Sequence, residues 1–341
     1  MKPGIILTLL IFLLLSPVAH AQDEADIPIP TTALFSFTIE GFYSDRIQFV
    51  RTEWSVDSGA FRMPYMPEYP NRDDYPWTFL EYDLATNNLR TAYRVQGERE
   101  ALDTWVFQAF GPRSVSPDGR YEIYESDKNR CGTDGRYCVS LLGITNRDTG
   151  QQAITDIGIL SDFVVRWSEN SQAFLVEGFG YGGVSLDYVR IPDSLEDITS
   201  VEMDTYFFDE VAFVDISPDG WQVLIRGSGE NFLGLTLWDA RWPLPEKNYR
   251  VASIYGQAIL QGRHVSGAKF ISGAPDELLV VLEQGIARYN LKTQEETLIN
   301  PDISSTWAHW VYFSPDEQYA LAYQHRIGYQ IALFVVNPTN E

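Results

Sequence analysis

The chain has 341 residues, with 47 acidic side chains against 25 basic ones and a formal net charge of −22. So acidic a surface repels nucleic acid and anionic membrane surfaces, which removes both as partners. The length allows a large buried core, built as one big β domain or two ordinary ones.

At the start, Lys2 is followed by an apolar run from Ile5 to Leu15, broken only by Thr8, and then by the small-x-small triplet Ala19-His20-Ala21. That is the layout of a signal peptide with its cleavage site. The run is shorter than the roughly 20 residues that span a bilayer. The expectation is a signal peptide over 1–21 and an exported domain over 22–341, secreted or periplasmic, with no membrane span after cleavage. An uncleaved anchor is the alternative.

Segments 34–40, 46–53, 78–84 and 89–95 then read as four short strands of one sheet, rich in aromatic and β-branched residues. Between the second and third lies a long aromatic insertion from Phe61 to Trp77, containing Tyr65, Tyr69 and Tyr75. Long stretches without secondary structure are usually functional or disordered. Ser55-Val56-Asp57-Ser58-Gly59 matches the first half of a sialidase-type Asp-box, but Arg62 stands where the aromatic belongs.

The only cysteines, Cys131 and Cys138, enclose Asp134-Gly135, the preferred pair of a two-residue hairpin turn. Pairing outward from that turn sets Cys131 opposite Cys138, at a separation that a disulfide accepts. In an exported protein the pair is expected to be oxidised.

The strongest signal is a repeat. Ser116-Pro117-Asp118-Gly119 returns as Ser217-Pro218-Asp219-Gly220 and Ser314-Pro315-Asp316-Glu317, with weaker copies at Trp167-Ser168-Glu169-Asn170 and Ser272-Gly273-Ala274-Pro275-Asp276-Glu277. Successive serines stand at 116, 168, 217, 272 and 314, the period of a propeller blade with loops of varying length. A short apolar strand precedes each copy and an alternating strand follows, so each copy is a tight turn between a blade's first and second strands. Further turns at Asp148-Thr149-Gly150 and Lys292-Thr293 separate the third strand from the fourth. The fold class is therefore all-β: a single β-propeller of about six four-stranded blades, seven being the other possible count. To close the ring, residues 26–31 are the candidate last strand; a three-stranded final blade is the alternative. The Ser-Pro-Asp turns should share one face, opposite the cysteine hairpin.

The Ser-Pro-Asp-Gly turn between two strands resembles the WD-repeat-like propellers of the TolB family and of prolyl-oligopeptidase-type enzymes, over roughly residues 105–336. The resemblance implies architecture and no activity. The peptidases carry their nucleophile in Gly-x-Ser-x-Gly on a separate domain, and this sequence contains no such motif. It also lacks an obvious counterpart of the N-terminal α/β domain of TolB.

No catalytic motif, metal site or cofactor is expected. The mature chain has only His264, His309 and His325 for a nucleophile's base. Asp127-Lys128-Asn129-Arg130-Cys131-Gly132 begins like an EF-hand loop but has Cys138 where the bidentate Glu should stand. Asp103, Asp162, Asp209 and Asp302 precede innermost strands and would ring one channel mouth. There they could hold Ca²⁺, act as a glycosidase-like pair, or be solvated loop residues. On that same face Tyr65, Tyr69, Tyr75 and Trp77, with Phe179 and Tyr181 opposite, form an aromatic set suited to binding or to capping the channel. The reading is a binding or scaffolding module for an extracytoplasmic protein, peptide or glycan; the alternative is a carbohydrate-active hydrolase or lyase.

Overall fold

The computed structural model describes residues 30–39, 53–55, 57–65, 78–93, 115–131, 138–159, 162–180, 183–206, 211–227, 234–242, 256–326 and 328–337. Strand β1 (Phe35–Ile39) comes first. Blade 1 is β2 (Glu53–Trp54), β3 (Ala60–Tyr65), β4 (Thr78–Asp83) and β5 (Asn88–Tyr93). Blade 2 shows β6 (Tyr121–Cys131), β7 (Cys138–Asn146) and β8 (Gln152–Ile159), with a bridge from Val115 to Glu122 just before the Ser116 turn. Blade 3 is β9 (Asp162–Trp167), β10 (Ala173–Gly180), β11 (Gly183–Arg190) and β12 (Ser200–Tyr206). Blade 4 is β13 (Val211–Ile216), β14 (Gln222–Gly227), β15 (Leu235–Asp239) and β16 (Gln257–Ile259). Blade 5 is β17 (Gly267–Ile271), β18 (Ala274–Leu282), β19 (Gly285–Asn290) and β20 (Glu296–Asn300). Blade 6 is β21 (Trp310–Phe313), β22 (Tyr319–Arg326) and β23 (Gly328–Val335), completed by β1.

Every sheet is an antiparallel meander, and the inner strands β9, β13, β17 and β21 lie side by side around the channel. This is the six-bladed propeller that the repeat predicts. Strand alternation explains why the blades stack: successive side chains leave opposite faces of a strand. In β10, Phe174 and Val176 pack with Ile123 and Leu142 of blade 2. Ala173 and Leu175 turn the other way, onto Ile216 and Val223 of blade 4. The seams between blades 4 and 5, 5 and 6, and 6 and 1 hold equivalent clusters.

Ring closure differs from expectation. Phe35 pairs with Leu333 and Ile39 with Tyr329, so residues 35–39 are blade 6's outermost strand and do not belong to blade 1. Blade 6 thus has four strands, with β1 in the closing place expected for residues 26–31, most of which lie outside the described residues. Phe35 also stacks on Tyr82 of blade 1, 4.0 Å between ring centroids. The Pro28-Ile29-Pro30 segment lacks two of the donors a ladder needs.

Blade 1 is corrected as well. Its second strand is β3, not 46–53: Phe61 pairs with Tyr82 and Tyr65 with Thr78. Phe61 is fully buried, so the aromatic insertion narrows to residues 66–77, which lie outside the described residues.

The turn between the first two strands is built identically in five blades. In blade 2, Ser116 Oγ donates to Asp118 Oδ1 (2.6 Å) and accepts from the Tyr121 amide (2.9 Å), while Asp118 Oδ1 accepts from the Arg120 amide. Blades 4 and 6 repeat this at Ser217 with Asp219 and at Ser314 with Asp316. In blade 3, Asn170 replaces the Asp. Blade 1 has the turn too, at Ser55-Val56-Asp57-Ser58-Gly59: Ser55 Oγ donates to Asp57 Oδ1 (2.6 Å) and accepts from the Ala60 amide. The half Asp-box is therefore the fifth copy of the turn. Blade 5 departs from it. Ile271 pairs directly with Ala274 across a two-residue Ser272-Gly273 turn, and Pro275 to Glu277 already belong to β18.

Candidate functional site

Five inner strands converge on a cavity of about 330 Å³ at the mouth of the channel on the Ser-Pro-Asp face. Its wall comes from blades 1, 3, 4, 5 and 6 among the described residues. Three of its side chains, Arg166, Asp215 and Tyr312, each stand two residues before the serine of their blade's turn. In these three blades that position alternates with the residue next to the serine, so the two leave opposite faces of the strand. The neighbouring position supplies Trp54, Trp167, Ile216 and Phe313. Trp54 is buried, stacked on Tyr319 of blade 6. Trp167 stacks on Tyr121 of blade 2 at 6.4 Å and stays half-buried.

The charges in the wall join blades. Asp215 Oδ2 accepts from the Phe270 amide of blade 5 at 2.8 Å. Burial pushes its carboxyl above the ordinary carboxylate value, against the pull of Lys269, the Phe270 amide and Arg166. Lys269 Nζ donates to the Pro315 carbonyl (2.8 Å), the Ser314 carbonyl and Glu317 Oε1 (both 3.3 Å) in blade 6. Glu169 of blade 3 accepts from the Gly273 amide of blade 5 at 3.1 Å, reaching past blade 4.

On the opposite face, burial lowers the Arg226 guanidinium to about 10, and its Nη1 donates to the His309 carbonyl at 3.3 Å. Burial and then the Arg226 charge hold His264 below its ordinary value, so it is neutral at pH 7. The His264 amide donates to Glu283 Oε1, and Arg263 pairs with Glu296 at 2.6 Å.

This opposite face is also where the sequence places its candidates. Asp162 opens β9 directly across from Phe179 in β10, and Tyr65 ends β3. Asp302 lies half-buried in the connection from β20 to β21, its amide donating to Asn300 Oδ1 at 2.9 Å. Cys131 and Cys138 face each other at the end of β6 and β7, remote from the Ser116 turn, as the Asp-Gly pairing requires. Asp127 and Asn129 of the EF-hand-like stretch sit in β6 itself, at a bulge. Tyr69, Tyr75, Trp77, Tyr181, Asp103 and Asp209 lie outside the described residues, as does the predicted signal peptide. The cavity residues stand on strands and share no motif of their own; the fixed offset from the turn serine is the signal that finds them.

No known family and no curated protein matches this sequence. Among solved structures, a chain of the mitotic checkpoint complex is similar over 92% of this chain and 94% of that chain, with 11% identity and a TM-score of 0.42. The propeller domain of the Trilobed protease from Pyrococcus furiosus covers 89% and 98%, with 14% identity and a TM-score of 0.35. The Dos1 propeller covers 84% and 68%, with 11% identity and a TM-score of 0.35. The chain is a β-propeller on its own sheet order.

Proposed function

We propose that this chain is an exported binding module of TolB-like architecture, presenting a propeller face to an extracytoplasmic protein, peptide or glycan. The observation that carries the reading is the use made of the carboxylates at the described channel mouth. Asp215 and Glu169 each accept a backbone amide from another blade, so they act as seam bonds. The resulting mouth is open, aromatic and rigidly walled, which suits recognition. The exported location rests on the leader-like start and on the facing cysteines, which we take to form a disulfide. Denatured, freshly isolated protein should then titrate no free thiol.

The test is capture. Immobilised protein should retain a partner from the extracytoplasmic fraction of its source. Replacing residues 66–76 by a Gly-Ser linker would abolish retention if the aromatic loop face binds. That variant should keep its melting temperature, since surface loops tolerate such changes; a fall of many degrees would mark the segment as a cap. Turnover of chromogenic glycosides that dies in Asp215→Asn, or in Asp162→Asn, would replace the binding reading with the hydrolase.

A further inference from the structure

Resting on the reading as a binding module, we propose that the cavity on the Ser-Pro-Asp face is a site for one neutral saccharide unit. The first ground is charge balance. Arg166 and Lys269 face Asp215 and Glu169 across the same small space, and Lys269 is further matched by Glu317. A charged ligand would meet repulsion from one half of this set. A hydroxyl suits Asp215, Glu169 and Arg166, because it donates to carboxylates and accepts from a guanidinium, while the three donors of Lys269 are given to blade 6.

The second ground is the aromatic surface. Trp167 is half-buried at the edge of the cavity, its back fixed against Tyr121 and Phe174. An indole at the rim of a cavity is an apolar, rigid surface of the kind on which the C–H side of a pyranose ring packs, at little entropic cost. Tyr312, from blade 6, brings a phenol to the same cavity.

The third ground is size and stiffness. About 330 Å³ lies at the small end of ligand pockets. The wall positions sit on β-strands locked to their neighbours by Asp215, Lys269 and Glu169, so the polar groups are held in place before a ligand arrives.

Calorimetric titration and ligand-observed NMR with glucose, galactose, N-acetylglucosamine and short oligomers of each test the proposal, with zwitterionic di- and tripeptides as the second arm. At least one saccharide should saturate. Trp167→Ala and Asp215→Asn should each weaken it tenfold or more, Tyr312→Phe severalfold, and Phe179→Ala on the opposite face should change nothing. If Asp215→Asn does not fold, Trp167→Ala and Tyr312→Phe decide. Saccharide saturation unaffected by Trp167→Ala overturns the site, and so does Trp167-dependent saturation by peptides alone. If no saccharide saturates while partner capture persists, the saccharide site falls and the binding module stands. Loss of capture together with glycoside turnover removes the module reading itself.

Discussion

The turns of blades 3 and 4 do the same job with opposite residues at one position. In blade 4 the last turn residue is Gly220 at φ +72°; a Cβ there would sit 2.9 Å from the Ala173 Cβ and 3.0 Å from Ser168 Oγ. In blade 3 the equivalent is Ser171 at φ +59°, a conformation L residues adopt at some strain. The Ser171 hydroxyl accepts the Asp118 amide of blade 2 at 3.0 Å. Ser58 does the same for the Asp316 amide of blade 6, and Glu317 takes the Ser272 amide of blade 5 at 2.6 Å. Where the motif departs from Gly, the side chain ties the ring to its neighbour. Where it keeps Gly220, the neighbour has filled the space.

The largest effect should come from Gly220→Ala, which meets both left-handed strain and overpacking: about 3 kcal/mol in urea unfolding. Gly119→Ala has nothing within 4 Å of its new Cβ and should lose only about 1 kcal/mol. Equal losses would show that packing against Ala173 does not explain the glycine.

Next, Ser171→Ala leaves the Asp118 amide without its partner and should cost about 1–2 kcal/mol. Ser171→Gly removes the strain as well as the bond and should lose less. A more stable Gly variant would mean that relief of the left-handed strain outweighs the seam bond.

A smaller contrast appears with pH. Asp57 is held below the ordinary carboxylate value by the Ser55 hydroxyl and the Gly59 amide. Asp118 is also lowered; burial pushes it up, but Ser116 and the Arg120 amide outweigh burial. Their stabilisation is present above the unfolded carboxylate value and lost as pH falls through the lower folded value. Asp215 has the opposite sign. Its raised folded value gives stabilisation that is full below the unfolded value and lost as pH rises through the folded one. The stability of the wild type should therefore fall more steeply with acid than that of Asp118→Asn, which lacks the gain at neutral pH, and the two should converge below the folded value. Asp215→Asn should hold or gain stability at pH 7. A clear loss there would show that attraction from Lys269 and Arg166 exceeds the burial penalty.

The smallest effect belongs to blade 5, which has no Ser-x-Asp lock. Its exposed Lys292–Asp276 pair, 2.6 Å apart, should contribute about 0.5 kcal/mol or less by double-mutant cycle.

The sequence showed the propeller because Pro and Gly mark turns loudly. It hid the blade 1 turn for the same reason: Ser55-Val56-Asp57-Ser58 has neither, yet the hydroxyl and carboxylate alone build the turn. The blade 5 copy misled in the reverse direction, since Pro275-Asp276 looks like the motif but runs within β18. The cysteine register was legible from local turn geometry. Ring closure was not, because β1 and β23 meet across nearly the whole chain and both Phe35 and the expected 26–31 segment read as extended. The channel residues Arg166, Asp215 and Tyr312 have no common chemistry, only a common offset, which becomes visible once every turn serine is aligned.

The pairing of Phe35 with Leu333 also fixes an order of events during synthesis. Strand β1 leaves the ribosome before all six blades and must wait, its edge unpaired, until β23 follows. Blades 2 to 5 can stack meanwhile, but blade 6 stays incomplete until β1 and β23 meet. Truncation by a dozen residues at the C-terminus would remove most of β23 and leave β1 without its partner. A chain halted there should be the species that chaperones and proteases find first.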